Sequence, residues 1–265
     1  MLSPFLTLRH YSLSFLILVL LIVVTYVCLY TWHLGQVAQQ EQLIPLVTLD
    51  KISFQTGDLV LFRHKKYRFG ELFSKAPLIS HLGVVWNTPL YGPCVLDFNP
   101  NPNGPYDANA LPFAVPFKGR NLLVYSIYDA VQHYPGDIFI RKLRKPLTEK
   151  QDVLFSEAVT DWAIHLRYEE FITTYDIFTY LMFIISTLAP EVSLLLARML
   201  TPMLRFRTSS FCTELVSELL RRCGVLSRND VRYSFLWGPM SWMHGMRQGT
   251  GSKDHYWAPE VQVLA

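Results

Sequence analysis

Residues 81–98 read HLGVVWNTPLYGPCVLDF, two short apolar runs flanking a turn-forming centre, and the rest of the fold is read outward from them. His81 to Trp86 and Cys94 to Phe98 are rich in β-branched and aromatic residues, which suits a pleated, half-buried surface. A hairpin turning around Asn87 to Tyr91 joins them. Symmetric pairing sets His81 opposite Asp97 on one face of the sheet. A slip of one residue sets them on opposite faces, because side chains alternate along a strand.

Further strands are expected at Asp58 to Phe62, Leu122 to Ile127 and Asp137 to Leu143, separated by clusters of Gly, Pro and Asn. The Pro- and Asn-dense stretch Asn99 to Pro116 reads as an exposed loop able to rim a cleft. After Pro146 the period changes. Thr148 and Glu149, followed by Val153, Leu154, Ala158, Trp162 and Ile164, predict a capped amphipathic helix. A second helix is predicted from Cys212 to Arg222, closed by Gly224. Strands first and helices after is an α+β layout, with helices packed on an antiparallel sheet.

The chain has 265 residues, enough for one sizeable domain and an anchor but short for two ordinary cores. Its charged fraction is 17% and its hydrophobic fraction 51%, against about 25% charged in soluble chains, so part of it is expected to meet lipid. Tyr11 to Trp32 carries no charge and is long enough to cross a hydrocarbon core of roughly 30 Å as a helix. Bulky Tyr30, Trp32 and His33 follow its apolar core where a cleaved leader would carry small residues. Residues 1–34 are therefore expected to be a single-pass transmembrane anchor, 35–46 a Gln-rich tether, and 47–265 the domain. Arg9 and His10 precede the helix and Glu41 is the first charge after it, so the positive-inside rule places the N-terminus in the cytosol. The domain is then expected on the extracellular, lumenal or virion-exterior side. Ile177 to Leu200 is apolar but broken by Pro190 and Glu191, which argues against a second crossing. It reads as a helical pair covering the domain, or as an interfacial hairpin or acyl-chain pocket.

The net charge of +3 is too small to argue for nucleic acid. The four cysteines, Cys28, Cys94, Cys212 and Cys223, form neither a CxxC pair nor a Cys/His metal pattern. This leaves room for a lone reactive thiol. Cys212 falls at a helix start, where unpaired N–H groups and the helix dipole favour a thiolate. Thr208, Ser209 and Ser210 precede it as candidate caps. It shares a stripe with Leu215, Val216, Leu219 and Cys223 that would face the sheet. An isolated helical cysteine is more often a small buried hydrophobe. A nucleophile further needs a histidine base within reach, and that histidine needs a third group to fix its tautomer. His81 and Asp97 are the candidates, although a structural histidine and a turn-capping aspartate are the ordinary alternatives.

Several blocks occur together in one order: Gly57-Asp58-Leu59 continuing to Phe62, Ser80-His81-Leu82-Gly83-Val84-Val85, Val95-Leu96-Asp97, Gly136 to Leu143 with Leu147-Thr148, Tyr168 to Phe171, and Phe211-Cys212-Thr213-Glu214-Leu215-Val216. In this they resemble the permuted NlpC-type papain-like proteins, the group that includes bacterial YiiX and YaeF, relatives in large DNA viruses and, more distantly, lecithin retinol acyltransferase. The resemblance spans roughly Phe54 to Val225. It implies a circularly permuted papain-like domain behind the anchor, in which the histidine precedes the cysteine. It also implies Cys212 as nucleophile, His81 as general base and then acid, and Asp97 where YiiX-type relatives carry glutamate. The implied activity is a thiol hydrolase, amidase or peptidase acting on an amide or ester through an acyl-enzyme, with no metal or organic cofactor. Lipid acyl transfer or phospholipid cleavage on the same fold is the first alternative. An inactive membrane-tethered structural protein is the second.

Other residues carry plainer readings. His165 and Asp161 stand i, i+4 but lack a third metal ligand and suit a solvated helix face. Glu169 and Glu170 are read as surface charges. Asp58 fixes the turn into its strand. The run Arg141 to Lys145 is read as a small basic patch near a strand end, by default a solvated edge and alternatively a surface for phospholipid head groups.

Overall fold

The computed structural model describes residues 44–64, 79, 81–98, 122–165, 212–229, 242, 247–248, 251–252 and 254–265, together with Leu21 and Thr25. The chain divides into two compact units, one comprising Met1–Leu43 and Arg68–Pro77, the other Ile44–Tyr67 and Leu78–Ala265. The second holds every strand of both sheets. The expected anchor (Leu21 and Thr25 apart), the loop at 99–116 and the apolar segment at 177–200 lie outside the described residues. Among the described residues no helix is long and apolar enough to cross a membrane.

The domain is of mixed α/β type, with a seven-stranded sheet and, among the described residues, three α-helices. In chain order these are β1 (Leu46–Thr48), β2 (Leu59–His64), β3 (His81–Thr88), β4 (Gly92–Phe98), β5 (Leu122–Ser126), α1 (Ile127–His133), β6 (Gly136–Leu143), α2 (Glu149–His165), α3 (Cys212–Arg222), the two-residue strands β7 (Arg247–Gln248) and β8 (Gly251–Ser252), and β9 (Trp257–Leu264). The large sheet runs β1-β9-β6-β2-β3-β4-β5. Only the β1–β9 pair is parallel; all the others are antiparallel.

The expected order of strands first and helices after is corrected at two places. A seven-residue helix, α1, lies between β5 and β6, and the chain returns to the sheet as β9 after both long helices. Helix α1 starts where the β5 run was expected to continue, because the Ser126 hydroxyl accepts from the N–H groups of Tyr128 and Asp129 and ends the strand. Strand β1 begins at Leu46, one residue before the expected start of the domain, and lies beside β9.

Both faces of the sheet are covered. On one, Val60, Phe62, Val85, Val95, Leu123, Tyr125, Ile138 and Ile140 pack with Ile127 and Ala130 of α1 and with Leu49, Ile52 and Phe54 ahead of β2. On the other, Leu59, Leu61, Leu82, Val84 and Leu96 are fully buried. The indole N–H of Trp86 donates to Ser156 Oγ at 3.1 Å and fixes α2 on that second face. Helix α3 packs on β3, β4 and α2. Its predicted stripe of Cys212, Leu215, Val216, Leu219 and Cys223 is buried, and Leu220 with it, each leucine or valine contributing about 1.5–3 kcal/mol as an upper estimate.

Two predicted helix ends are present, Thr148 at the start of α2 and Gly224 at the end of α3. Thr148 Oγ1 accepts from Gln151 N at 3.3 Å while Gln151 Oε1 accepts from Thr148 N at 3.1 Å, a reciprocal cap for α2. At the end of α3, Gly224 takes φ +77°. Its N–H donates to Arg221 O, and that of Val225 donates to Leu220 O. This paired closure needs a left-handed residue, which glycine adopts without penalty.

Asp58 is fully buried at the entrance of β2. Its carboxylate accepts from Gln55 N at 2.9 Å, from Leu143 N at 2.8 Å and from the Lys142 ammonium, so it fixes the expected turn and also ties it to β6. Arg141 departs from the reading of a basic surface patch. It is 1% exposed, because β6 lies between β2 and β9 and has both faces covered. Its guanidinium donates to the carbonyls of Trp242 at 2.6 Å and Ala258 at 2.9 Å and to Asp254 Oδ1 at 2.8 Å. These bonds pin the segment leading into β9 to the centre of the sheet.

Candidate active site

Strand register brings the histidine and the aspartate together. In the β3–β4 hairpin Thr88 pairs with Gly92 and Asp97 pairs with Gly83, not with His81. The offset from symmetric pairing is two residues, an even number, so His81 and Asp97 stay on one face as diagonal neighbours. The register is set at the turn, where Thr88 Oγ1 accepts from Tyr91 N at 3.0 Å and donates to Gly92 O at 3.2 Å. Leu90 and Tyr91 project into solvent at its tip.

Aspartate is short, and a diagonal separation of about 7–8 Å needs help to close. Gly83 provides it. It stands directly opposite Asp97 and presents no side chain, so the carboxylate can lean over it toward His81. The space is tight: a Cβ on Gly83 would lie 2.7 Å from Val95 Cγ1 and 3.0 Å from Leu96 O. The result is a hydrogen-bonded ion pair between His81 Nε2 and Asp97 Oδ1. The other carboxylate oxygen, Oδ2, accepts from the Tyr125 hydroxyl at 2.9 Å. Phe62, paired with His81 across β2–β3, lies 5.8 Å from the imidazole, centroid to centroid, and walls one side of it.

Cys212 is the first residue of α3 and is buried, with 8% exposure. The candidate caps Thr208 to Ser210 fall outside the described residues. His81 opens β3 and α3 packs on β3, and there the Cys212 thiol lies close enough to the imidazole to act on its titration. With Nε2 committed to Asp97, the ring nitrogen left for the thiol is Nδ1. Burial disfavours a charged imidazole, but the carboxylate of Asp97 and then the negative charge of Cys212, with hydrogen bonds to both, outweigh it. The His81 pKa is thereby held well above the ordinary histidine value. The imidazole keeps 19% of its surface exposed while Asp97 keeps none, so the ring is the solvent-facing member of the pair. Burial raises the pKa of the Cys94 and Cys223 thiols and so favours their protonated, uncharged form.

All three residues singled out in the sequence, Cys212, His81 and Asp97, thus meet at one place. The sequence reading did not assign Tyr125, Gly83 or Phe62 to this place. A glycine inside an otherwise apolar strand was the available signal, since it marks close approach by another group; nothing in the sequence near Tyr125 marks it. Asp161 accepts from Arg222 Nη1 at 2.6 Å, an exposed pair joining α2 to α3, and the side chain of His165 is outside the described set.

Comparison with known proteins finds no matching family model, and no significant match to a curated protein or a solved structure.

Proposed function

We propose that the chain is a cysteine hydrolase of permuted papain-like type, with Cys212 as nucleophile, His81 as base and then acid, and Asp97 as the orienting carboxylate. One observation carries the reading. A helix-initial thiol from late in the chain lies close enough to an imidazole from the early sheet to raise its pKa, and a buried carboxylate holds the same ring. A purely structural cysteine needs no such partner.

In the proposed reaction His81 takes the proton of Cys212, and the thiolate adds to the carbonyl carbon of an amide or ester. The tetrahedral oxyanion is received at the start of α3, with the Cys212 N–H first among its donors. When the intermediate collapses, the carbon–nitrogen or carbon–oxygen bond breaks. The departing amine or alcohol takes the proton from His81 and leaves a thioester on Cys212. Water, deprotonated by His81, then attacks the thioester; the acid is released and the thiol is restored. Asp97 favours the imidazolium at each step and keeps Nδ1 directed at sulfur.

The apolar sequence at 11–32 and 177–200 favours a membrane-associated substrate, which admits lipid acyl esters beside peptide or other amides. Cys212→Ala assayed against a panel of small amides and acyl esters tests the proposal. The expected result is loss of every cleavage the wild type performs; a panel cleaved equally by wild type and variant contradicts it. Within the panel, acyl-ester turnover in lipid without amide turnover selects the acyltransferase or phospholipase branch.

A further inference from the structure

Behind Asp97, on the side away from His81, stands Tyr125. Asp97 pairs with Gly83 on β3 and with Leu123 on β5, and Tyr125 pairs with Val95. His81, Asp97 and Tyr125 therefore occupy one face of three adjacent strands, each placed diagonally to the next. Tyr125 has no exposed surface, and its hydroxyl reaches Asp97 Oδ2 at 2.9 Å while Oδ1 faces His81. Both oxygens of the carboxylate are committed, one forward to the imidazole and one back to the phenol.

We propose that Tyr125 is a positioning residue, which rests on the hydrolase reading above and acts on the reaction through Asp97 and His81 without touching substrate. An aspartate held by one hydrogen bond keeps a soft, roughly two-fold terminal torsion. A second bond at the other oxygen fixes the carboxylate plane, so that Oδ1 is aimed at Nε2 and the ring in turn presents Nδ1 to sulfur. The phenol also supplies a donor to a charge that has no access to water, where a half-satisfied carboxylate is costly. It does so without adding a charge of its own, so the pairing of Asp97 with His81 is left intact. A glutamine or serine on β5 would occupy a different reach, whereas the rigid ring spans the diagonal and is buried in the same cluster as Val85, Val95 and Ile127.

The test is Tyr125→Phe in the full chain, which removes one oxygen and keeps the ring. Two readouts are followed: the midpoint of the His81 imidazole titration by NMR, and the pH profile of Cys212 alkylation by iodoacetamide. With the carboxylate free to turn, the His81 midpoint is expected to fall by about one pH unit, and alkylation at neutral pH to slow by about tenfold, while thermal unfolding stays cooperative. A folded variant whose His81 midpoint equals that of the wild type overturns the positioning role, however reactive Cys212 proves. A shifted midpoint with an unreactive wild-type Cys212 upholds the Tyr125–Asp97–His81 coupling and overturns the hydrolase reading instead. The wild type offers an independent check should the phenylalanine variant not fold. The Tyr125 hydroxyl proton is expected as a slowly exchanging resonance that vanishes in Asp97→Ala, and its absence from the wild type overturns the proposal.

Discussion

Substituting Gly83 by alanine tests the geometry that lets a short carboxylate reach His81. The new methyl group would stand 2.7 Å from Val95 Cγ1 and 3.0 Å from Leu96 O, against an optimum of about 3.5–4.0 Å between carbon atoms. The carbonyl belongs to a paired strand and cannot turn away. Val95 is β-branched and fully buried, so rotating it drives a methyl into the cluster of Val85 and Tyr125. Overpacking of this kind costs about 1–3 kcal/mol. Alanine also recovers about 0.4–1 kcal/mol by restricting the unfolded chain, so the net loss is about 0–2.6 kcal/mol. Urea unfolding of wild type and Gly83→Ala measures it, as a lower midpoint at unchanged m-value. The same methyl projects from the face that Asp97 and His81 share, so the His81 titration is expected to move toward the ordinary histidine value in the same variant. Equal stability together with an unmoved His81 titration would show that the space above Gly83 is open, and the account of how Asp97 reaches the imidazole would be wrong.

Three further outcomes are expected. The folded pKa of His81 is raised well above the unfolded value of about 6.5, so its stabilising contribution is complete below that value and is lost as pH rises through the folded one; urea unfolding across this range should show the decline, and His81→Gln should flatten it. Asp58→Ala leaves the buried Leu143 N–H and the Lys142 ammonium without their carboxylate and is expected to cost about 3–5 kcal/mol by denaturant unfolding, whereas a loss under 1 kcal/mol would deny Asp58 its role between β2 and β6. Arg141→Lys cannot reproduce a fork that serves Trp242, Ala258 and Asp254 at once, so faster amide exchange across β9 is expected, and unchanged protection would contradict the staple.

The β3–β4 hairpin, the threonine start of α2 and the glycine stop of α3 were legible because local rules decide them. Runs of β-branched and aromatic residues about a turn, a capping threonine and a closing glycine each act within a few residues. Strand β9 was less visible because Pro259 interrupts its run and cannot donate to a ladder. The sheet accommodates it near an irregularity between Arg141 and Leu143. Helix α1 offers seven residues, too few for a period to stand out. Arg141 misled because charge usually marks a surface, yet the alternation in Asp137 to Leu143 sets it beside Phe139 and Leu143, and only the neighbours of β6 decide whether that face is covered. The meeting of Cys212 with His81 depends on how a helix about 130 residues downstream packs on β3. Residue types made that meeting worth expecting, and tertiary structure was needed to bring it about.

Competitive alkylation of the intact protein, with the rate read separately at each cysteine by peptide mass spectrometry, tests the central claim most directly. Cys94 and Cys223 are internal references, since burial raises their thiol pKa values and leaves them inert. Cys212 is predicted to label at least about tenfold faster than the same thiol in the unfolded chain at neutral pH, with the excess lost in His81→Gln. A Cys212 that labels no faster than in the unfolded chain, or that keeps its rate without His81, would contradict the account.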